Sequence, residues 1–242
     1  MDGKRQEWWT ISFYKELMNK VFVIVPAYNE TEVIVSTIKP LLLKGYEVVV
    51  VDDGSKTDIE KFLAGTNVHF LKHDINLGQG AALQTGMDYA KQFEPDFVVH
   101  FDADGQHSLE DIEYFIEQAK AHNVEMVIGS RFLKRETRDL VPSKRRMLLR
   151  VARFINYIFT GLFLTDAHNG FRVVRGSALH KLKITENRMA HATEILRLIK
   201  RNKISFVEAA TKIHYTEYSM QKGQRASNSF NILIDLILHR FI

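Results

Sequence analysis

The sequence predicts an α/β protein with a mainly parallel sheet and helices on both of its faces. Three observations carry this: short, continuous apolar runs rich in Val and Ile, helical periodicity between them, and acidic, Pro or Gly residues where the runs end. Val21 to Val25 is the first run, closed by Pro26, and Glu47 to Val51 the second, closed by Asp52, Asp53 and Gly54. Continuous rather than alternating apolar character marks strands buried on both faces. Glu30 to Lys44, between them, has helical periodicity that stops at Gly45, and Val68 to Leu71 reads as a third strand before a loop at His73 to Gly78. A helix over Gly80 to Lys91, a strand over Phe97 to Phe101, a helix over Ser108 to Ala121 with Ser108 as its cap, and a strand over Met126 to Ile128 continue the alternation.

After Gly129 the alternation breaks down. A basic, proline-containing stretch runs to Arg146, and the apolar-rich segment Met147 to Leu164 follows, with Arg146, Arg150, Arg153, Tyr157 and Thr160 on one helical stripe. Most of that helix's circumference is apolar, so it needs a large apolar partner. Phe230 to Ile242 has the same character, with Asn231, Asp235 and His239 as its polar line, and is too short to span a bilayer. Trp8, Trp9, Phe13 and Leu17 form either an interfacial face or the apolar side of a short packing helix. The expected organisation is a packing or interfacial segment over 1–20, one large domain over 21–225 that includes the basic and apolar part 134–164, and an amphipathic helix over 226–242.

A chain of 242 residues with 45% hydrophobic and 26% charged content can build one large core, which excludes global disorder. The absence of cysteine excludes disulfide, thiolate-metal and cysteine-nucleophile chemistry and fits a cytoplasmic location. Net charge is +4, but eight of the 33 Lys and Arg residues lie between Lys134 and Arg153, which points to a local anionic partner rather than to nucleic acid. No secretory signal and no run long enough for a transmembrane span are visible.

The chemistry concentrates at strand ends, where open α/β sheets bind ligands. Asp102 and Asp104 follow the fourth strand in the run FVVHFDADGQH, and alternate carboxylates beside an amide and a histidine suit a divalent ion held against a diphosphate. A plain turn gains nothing from the second carboxylate. Mg2+ or Mn2+ on Asp102, Asp104 and Gln106 is the expected cofactor, and His107 reads equally as a helper or a structural residue. Pro26, Tyr28, Asn29 and Glu30 stand at the mouth of the first strand, where side chains can flank a base and ribose, and Asp52 and Asp53 close the second in the same crevice. Asn76 to Gly80 (NLGQG) lacks the P-loop lysine and the dinucleotide glycine spacing, so it reads as the shaped start of a helix covering the nucleotide pocket. Thr216 to Arg225, with Lys222 and Arg225, reads as a loop that closes over a diphosphate or as ordinary surface.

VPAYNE, VDDGS, NLGQGAALQTG, DADGQH and GSR, in that order, resemble family 2 glycosyltransferases of the GT-A fold over roughly Val21 to Arg225. With Asn169, Gly170, Phe171, Arg172 and the later YTEYSMQKGQ, the chain looks like the branch of dolichyl-phosphate mannose synthase and bacterial polyprenyl-phosphate glycosyltransferases. The resemblance implies inverting transfer from a nucleoside diphosphate sugar to a polyprenyl (undecaprenyl or dolichyl) phosphate. UDP-glucose or UDP-N-acetylglucosamine is preferred and GDP-mannose retained. Asp102, Asp104, Arg131 and Arg145 would carry catalysis. The donor would meet Pro26, Tyr28, Asn29, Glu30, Asp53, Gly80, Ala103, Lys222 and Arg225, and the acceptor phosphate Arg131 and Arg145 with Arg146 and Arg150 beside them. Leu149 stands where the family often has a serine, which leaves the choice among these arginines open. Asp166 and Asn169 would border the sugar, and Glu194 would approach it.

Residue chemistry agrees about charge. A phosphate monoester, with its second pKa of about 6, is already nucleophilic near neutral pH, so the enzyme must mainly bring two anions together. A metal on one side and arginine forks on the other meet that need. The competing readings are a glycosyltransferase with a saccharide acceptor and an inactive nucleotide-sugar-binding scaffold. A sugar nucleotidylyltransferase would need a glycine-rich loop near Val25, and a processive synthase a Q-x-x-R-W run; neither is present. Relatives of this branch often carry C-terminal transmembrane helices, so peripheral attachment at the cytoplasmic membrane face, with the two amphipathic helices on the bilayer surface or on a small membrane protein, is the expectation, and a homo-oligomer is a further candidate partner.

Overall fold

The computed structural model describes residues 19–31, 33–141, 143–166, 169–187 and 190–212. Their elements follow one another as β1 (Val21–Ala27), α1 (Ile34–Leu43), β2 (Glu47–Asp52), β3 (His69–Lys72), α2 (Gln79–Lys91), β4 (Phe97–His100), α3 (Glu110–Ala121), β5 (Met126–Ser130), α4 (Arg135–Asp139), α5 (Ser143–Thr160), β6 (Arg172–Arg175), α6 (His191–Arg201) and β7 (Phe206–Ala210). Short 3-10 turns occupy Glu60–Leu63 and Gly176–Lys181. The strands form one sheet in the order β3-β2-β1-β4-β6-β5-β7.

All the pairings are parallel except those of β6, which runs antiparallel to both β4 and β5. Two reversals cancel, so β5 points the same way as β1, β2 and β4. Alternate side chains of each strand enter opposite cores. Val21, Val23 and Val25 of β1 pack with Ile34, Ile38, Ile112 and Phe115 on the face covered by α1 and α3. Phe22 and Ile24 pack on the other face with Leu83, Met87, Ile195 and Ile199 of α2 and α6. A continuous apolar run is what this two-sided burial requires. Gly86 lets α2 lie flat on β1, since a Cβ there would come within 2.4 Å of Ile24 Cγ2.

Several boundaries differ from expectation for identifiable reasons. Ser108 does not cap α3: its hydroxyl donates to Glu110 Oε2, and Leu109 holds the cap position without a side-chain bond. The long helix spans Ser143–Thr160 rather than Met147 to Leu164, and Gly161, at φ 66°, ends it by accepting a left-handed backbone. Leu164 is buried beyond that end. On α5 the exposed positions include Met147, Val151, Phe154, Tyr157 and Ile158, whereas Thr160, from the expected polar stripe, is buried and bonds to the Asn156 carbonyl. The antiparallel β6 and the edge strand β7 (FVEAA) lie where no strand was expected. Residues 1–18, 213–225 and 226–242, including Trp8, Trp9, Lys222 and Arg225, lie outside the described residues. Among the described residues no helix is long and apolar enough to cross a membrane.

Candidate active site

Because β1, β2, β4 and β5 share one direction, the residues after them meet at one edge of the sheet. Asn29, at φ 56°, turns the chain after β1; its amide donates to Ser55 Oγ and its Oδ1 accepts from the Lys56 amide, which stitches the first two loops together. Tyr28 stands 40% exposed beside it, and Glu30 is buried. Asp52 and Asp53 turn out to be inward-facing. Asp52 accepts from the Ser55 amide, and its Oδ2 is buried without a partner. Asp53 accepts from the Leu77 and Gly78 amides and contacts His73 Nδ1 at 2.8 Å, while His73 Nε2 reaches Thr85 Oγ1 at 3.0 Å. Asp53 therefore fastens the 73–78 loop in place, a role invisible in VDDGS alone.

Gly80 is also a point of close approach. Its amide donates to the Asn187 carbonyl, and an added Cβ would lie 2.0 Å from the Glu186 carbonyl oxygen. Glu194 holds that same 185–186 segment: its carboxylate accepts from the Thr185 and Glu186 amides and from the Thr185 hydroxyl. These bonds tie the 185–186 segment to the first turn of α6.

After β4 the chain turns through Asp102, Ala103, Asp104 and Gly105, with Gly105 at φ 70°. Asp102 Oδ1 accepts from Gln79 Nε2 at 2.8 Å, and its Oδ2 lies 3.0 Å from His107 Nε2. Burial pushes Asp102 up, but the His107 bond and charge, then Arg172 and His191, win and hold it below the ordinary carboxylate value. Asp104 goes the other way. Burial and then the Asp102 charge push it up to about 6, against opposing contributions from His107 and the Gln106 amide. Gln106 donates to Asp104 twice, from its backbone and from Nε2. Asp102, Ala103, Asp104 and Gln106 are thus together as the motif implied, and His107 is a buried partner of Asp102.

A divalent cation fits this donor set on chemical grounds. Two carboxylates and a side-chain amide on one turn are hard oxygen donors, which suit Mg2+ or Mn2+. Among the described residues no group of three or more His, Asp or Glu forms a complete cage, so ligand oxygens would have to finish the shell.

Arg131 follows β5 and is buried in a bidentate pair with Asp166, Nε to Oδ2 at 2.6 Å and Nη2 to Oδ1 at 2.7 Å. Asp166 also accepts from the Arg131 amide. Glu208 of β7 anchors this partner by accepting from the Thr165 amide and hydroxyl and the Asp166 amide. Sequence reasoning missed the roles of Asp166 and Glu208; the one available signal was a carboxylate interrupting the apolar strand FVEAA. Arg146 donates to Asp139 Oδ1 at 3.2 Å, Arg150 is exposed, and Arg145 lies on the first turn of α5.

Arg172 is the other unforeseen feature. It opens β6, is 2% exposed, and stands opposite His100 on β4 and Ile128 on β5. Burial lowers its guanidinium to about 10 although Asp102 and then Asp166 favour its charge. His100, buried beside Arg172, is pushed down to about 3 by burial and then by the charges of Arg172 and His191, and is neutral.

This is an open α/β sheet whose shared strand edge carries a carboxylate pair and a buried, carboxylate-clamped arginine, the layout of a GT-A glycosyltransferase. Residues 22–183 match the model described as glycosyl transferase family 2, and the chain belongs to that family. It is 34% identical over 225 residues to an uncharacterized protein of Methanocaldococcus jannaschii, covering 92% of this chain and 93% of the relative. It is 31% identical over 238 residues to the UDP-N-acetylglucosamine--dolichyl-phosphate N-acetylglucosaminyltransferase of Methanococcus voltae, covering 90% and 95% of the two. In fold it resembles glucosyl-3-phosphoglycerate synthase of Mycobacterium tuberculosis, solved with Mn2+, UDP and glucosyl-3-phosphoglycerate, with a TM-score of 0.61 at 17% identity over 92% of this chain and 81% of that one.

Proposed function

We propose that this enzyme moves a sugar, with inversion, from a nucleoside diphosphate sugar to a polyprenyl (undecaprenyl or dolichyl) phosphate for cell-envelope glycan assembly. The observation that carries the reading is the presence, on one sheet edge, of a carboxylate pair after β4 and a buried arginine after β5. UDP-glucose or UDP-N-acetylglucosamine is the preferred donor, the latter supported by the name of the Methanococcus voltae relative, and GDP-mannose is retained.

Pro26, Tyr28, Asn29 and Glu30 would border the nucleotide, with Asp53 and Gly80 shaping its pocket through the loops they fix. Asp102, Asp104 and Gln106 would hold the divalent ion, with Ala103 beside the diphosphate. That ion, when bound, supplies Lewis acidity to the departing diphosphate. Arg131, with Arg145, Arg146 or Arg150, would orient the acceptor phosphate. Lys222 and Arg225 would close over the diphosphate. A dianionic phosphate attacks without a protein base, so catalysis rests on positioning and charge. The exposed apolar face of α5, Met147, Val151, Phe154 and Ile158, supports peripheral attachment at the cytoplasmic membrane face, because aliphatic and aromatic side chains flanked by arginines suit an anionic bilayer surface. A small membrane protein or a second copy on that face is the alternative partner.

The test measures nucleoside diphosphate release with Mg2+ and each donor, in the presence of polyprenyl phosphate or of a soluble saccharide. Release that requires polyprenyl phosphate and falls at least about a hundredfold in Asp104→Asn, as loss of transition-state charge stabilisation does, supports the reading. Release with the saccharide alone overturns it.

A further inference from the structure

The loop 73–78 borders the crevice proposed for the nucleotide, and buried polar side chains rather than apolar packing set its course. Ile75 is 66% exposed and Leu77 37%, so hydrophobic burial does little to hold it. Its backbone lies instead on Gly54, where an added Cβ would run into the Ile75 carbonyl carbon and stand 2.6 Å from the Asn76 nitrogen. Ser55 and Lys56, next along from Gly54, bond to Asn29, so the loops after β1, β2 and β3 form one stitched rim.

His73 stands where that rim meets α2. Its amide donates to the Asp52 carbonyl, which carries the β2–β3 pairing one residue past β3 and fixes its backbone. Asp53 accepts from the Leu77 amide through Oδ1 and from the Gly78 amide through Oδ2, so it is an acceptor toward His73 as well, and the imidazole proton sits on Nδ1, 2.8 Å away. Nε2 is then left to accept from the Thr85 hydroxyl of α2 at 3.0 Å. The side chains of Asp53 and His73 are only 4% and 11% exposed. Shielded from water, the bonds from Thr85 through His73 to Asp53 hold one geometry, and the two loop amides follow the carboxylate they donate to.

Resting on the reading of this crevice as the nucleotide site, we propose that His73 is a positioning residue for the donor: it fixes the Asp53 carboxylate against Thr85 of α2, and Asp53 holds the Leu77 and Gly78 amides, so that the loop is ordered before the nucleotide arrives. His73 acts through Asp53 rather than by touching the donor. Ordering the loop during folding removes that entropy cost from the binding step, which is how a preformed wall raises affinity. Because the three side chains form one chain of bonds, Thr85 contributes only through His73.

Calorimetric titration of the protein with UDP, and separately with GDP, in Mg2+ buffer tests this, together with amide hydrogen exchange read residue by residue. His73→Ala should bind the nucleotide that the wild type binds about tenfold more weakly, the factor carried by one hydrogen bond to a charged group. Its Leu77 and Gly78 amides should exchange faster by a similar factor, with the Val49 and Val51 amides of β2 unchanged. Thr85→Val should weaken binding in the wild type and add nothing in His73→Ala, the non-additivity expected of groups in one chain. His73→Asn, whose side-chain amide stands in for Nδ1–H toward Asp53 but falls short of Thr85, should recover affinity to the level of Thr85→Val. Wild-type affinity in His73→Ala, no recovery in His73→Asn, or an additive loss in the double variant overturns the proposal, and so does faster exchange that extends to Val49 and Val51, the mark of a merely structural role. If His73→Ala does not fold, Thr85→Val decides, and unchanged affinity there overturns the proposal. A wild type that binds neither UDP nor GDP overturns the nucleotide reading of the crevice, and this inference with it.

Discussion

Two carboxylates share the turn after β4, and burial together with the Asp102 charge pushes Asp104 up to about 6 from its ordinary 3.8. The sign of the linked stability follows. A carboxyl whose folded pKa is raised favours the fold when protonated, so that contribution is present below about 4 and is lost as pH rises through about 6. Ionised Asp104 therefore costs stability at neutral pH without a cation. Asp104→Asn should raise the melting temperature at pH 7 by about 2–4 °C, equivalent to about 1 kcal/mol for a chain of this size, and the gain should shrink by pH 5. Thermal scans at the two pH values in chelator check it, and an equal gain at both would remove the ionisation argument. The same substitution should abolish transfer, the usual trade of stability for function at a charged site. Asp102 and Asp104 were legible in the sequence because their position after an apolar strand has few structural uses. The bonds that Asp53, Asp166 and Glu208 make were not, because their partners are backbone amides and an arginine fixed only by the fold.

At the scale of elements, the continuous apolar strands β1, β2, β4 and β5 were readable, as two-sided burial leaves little choice of residue. Strands β6 and β7 were hidden for the opposite reason. Each is short and carries charge, RVVR and FVEAA, and each exists through pairing with a neighbour rather than through local pattern. The helix α2 begins where the sequence placed it, within a residue, and the demand on Gly80 comes from the distant Glu186 carbonyl. Gly80→Ala should cost about 1–3 kcal/mol by forcing α2 away from the 184–187 segment, the usual penalty for overpacking. Chemical denaturation measures this, and an unchanged midpoint would show that the segment yields freely.

For the whole molecule, the exposed apolar side of α5 is the surface that donor chemistry does not explain. If it rests on lipid, each large side chain there contributes about 1.5–3 kcal/mol of burial. Phe154→Asp combined with Ile158→Asp should lower partition into anionic vesicles by more than about tenfold while leaving the circular dichroism spectrum unchanged. Unaltered flotation would transfer attachment to other parts of the chain. The proposed transfer makes a stronger demand: its product would be a lipid, formed only when both anions are present. Mass spectrometry of the organic extract, after the protein is incubated with Mg2+, polyprenyl phosphate and a panel of UDP- and GDP-sugars, reads this directly. A polyprenyl-monophosphate sugar from one donor of the panel is the predicted product. Sugar found only on a water-soluble acceptor, with the lipid phosphate unmodified for every donor, would contradict it.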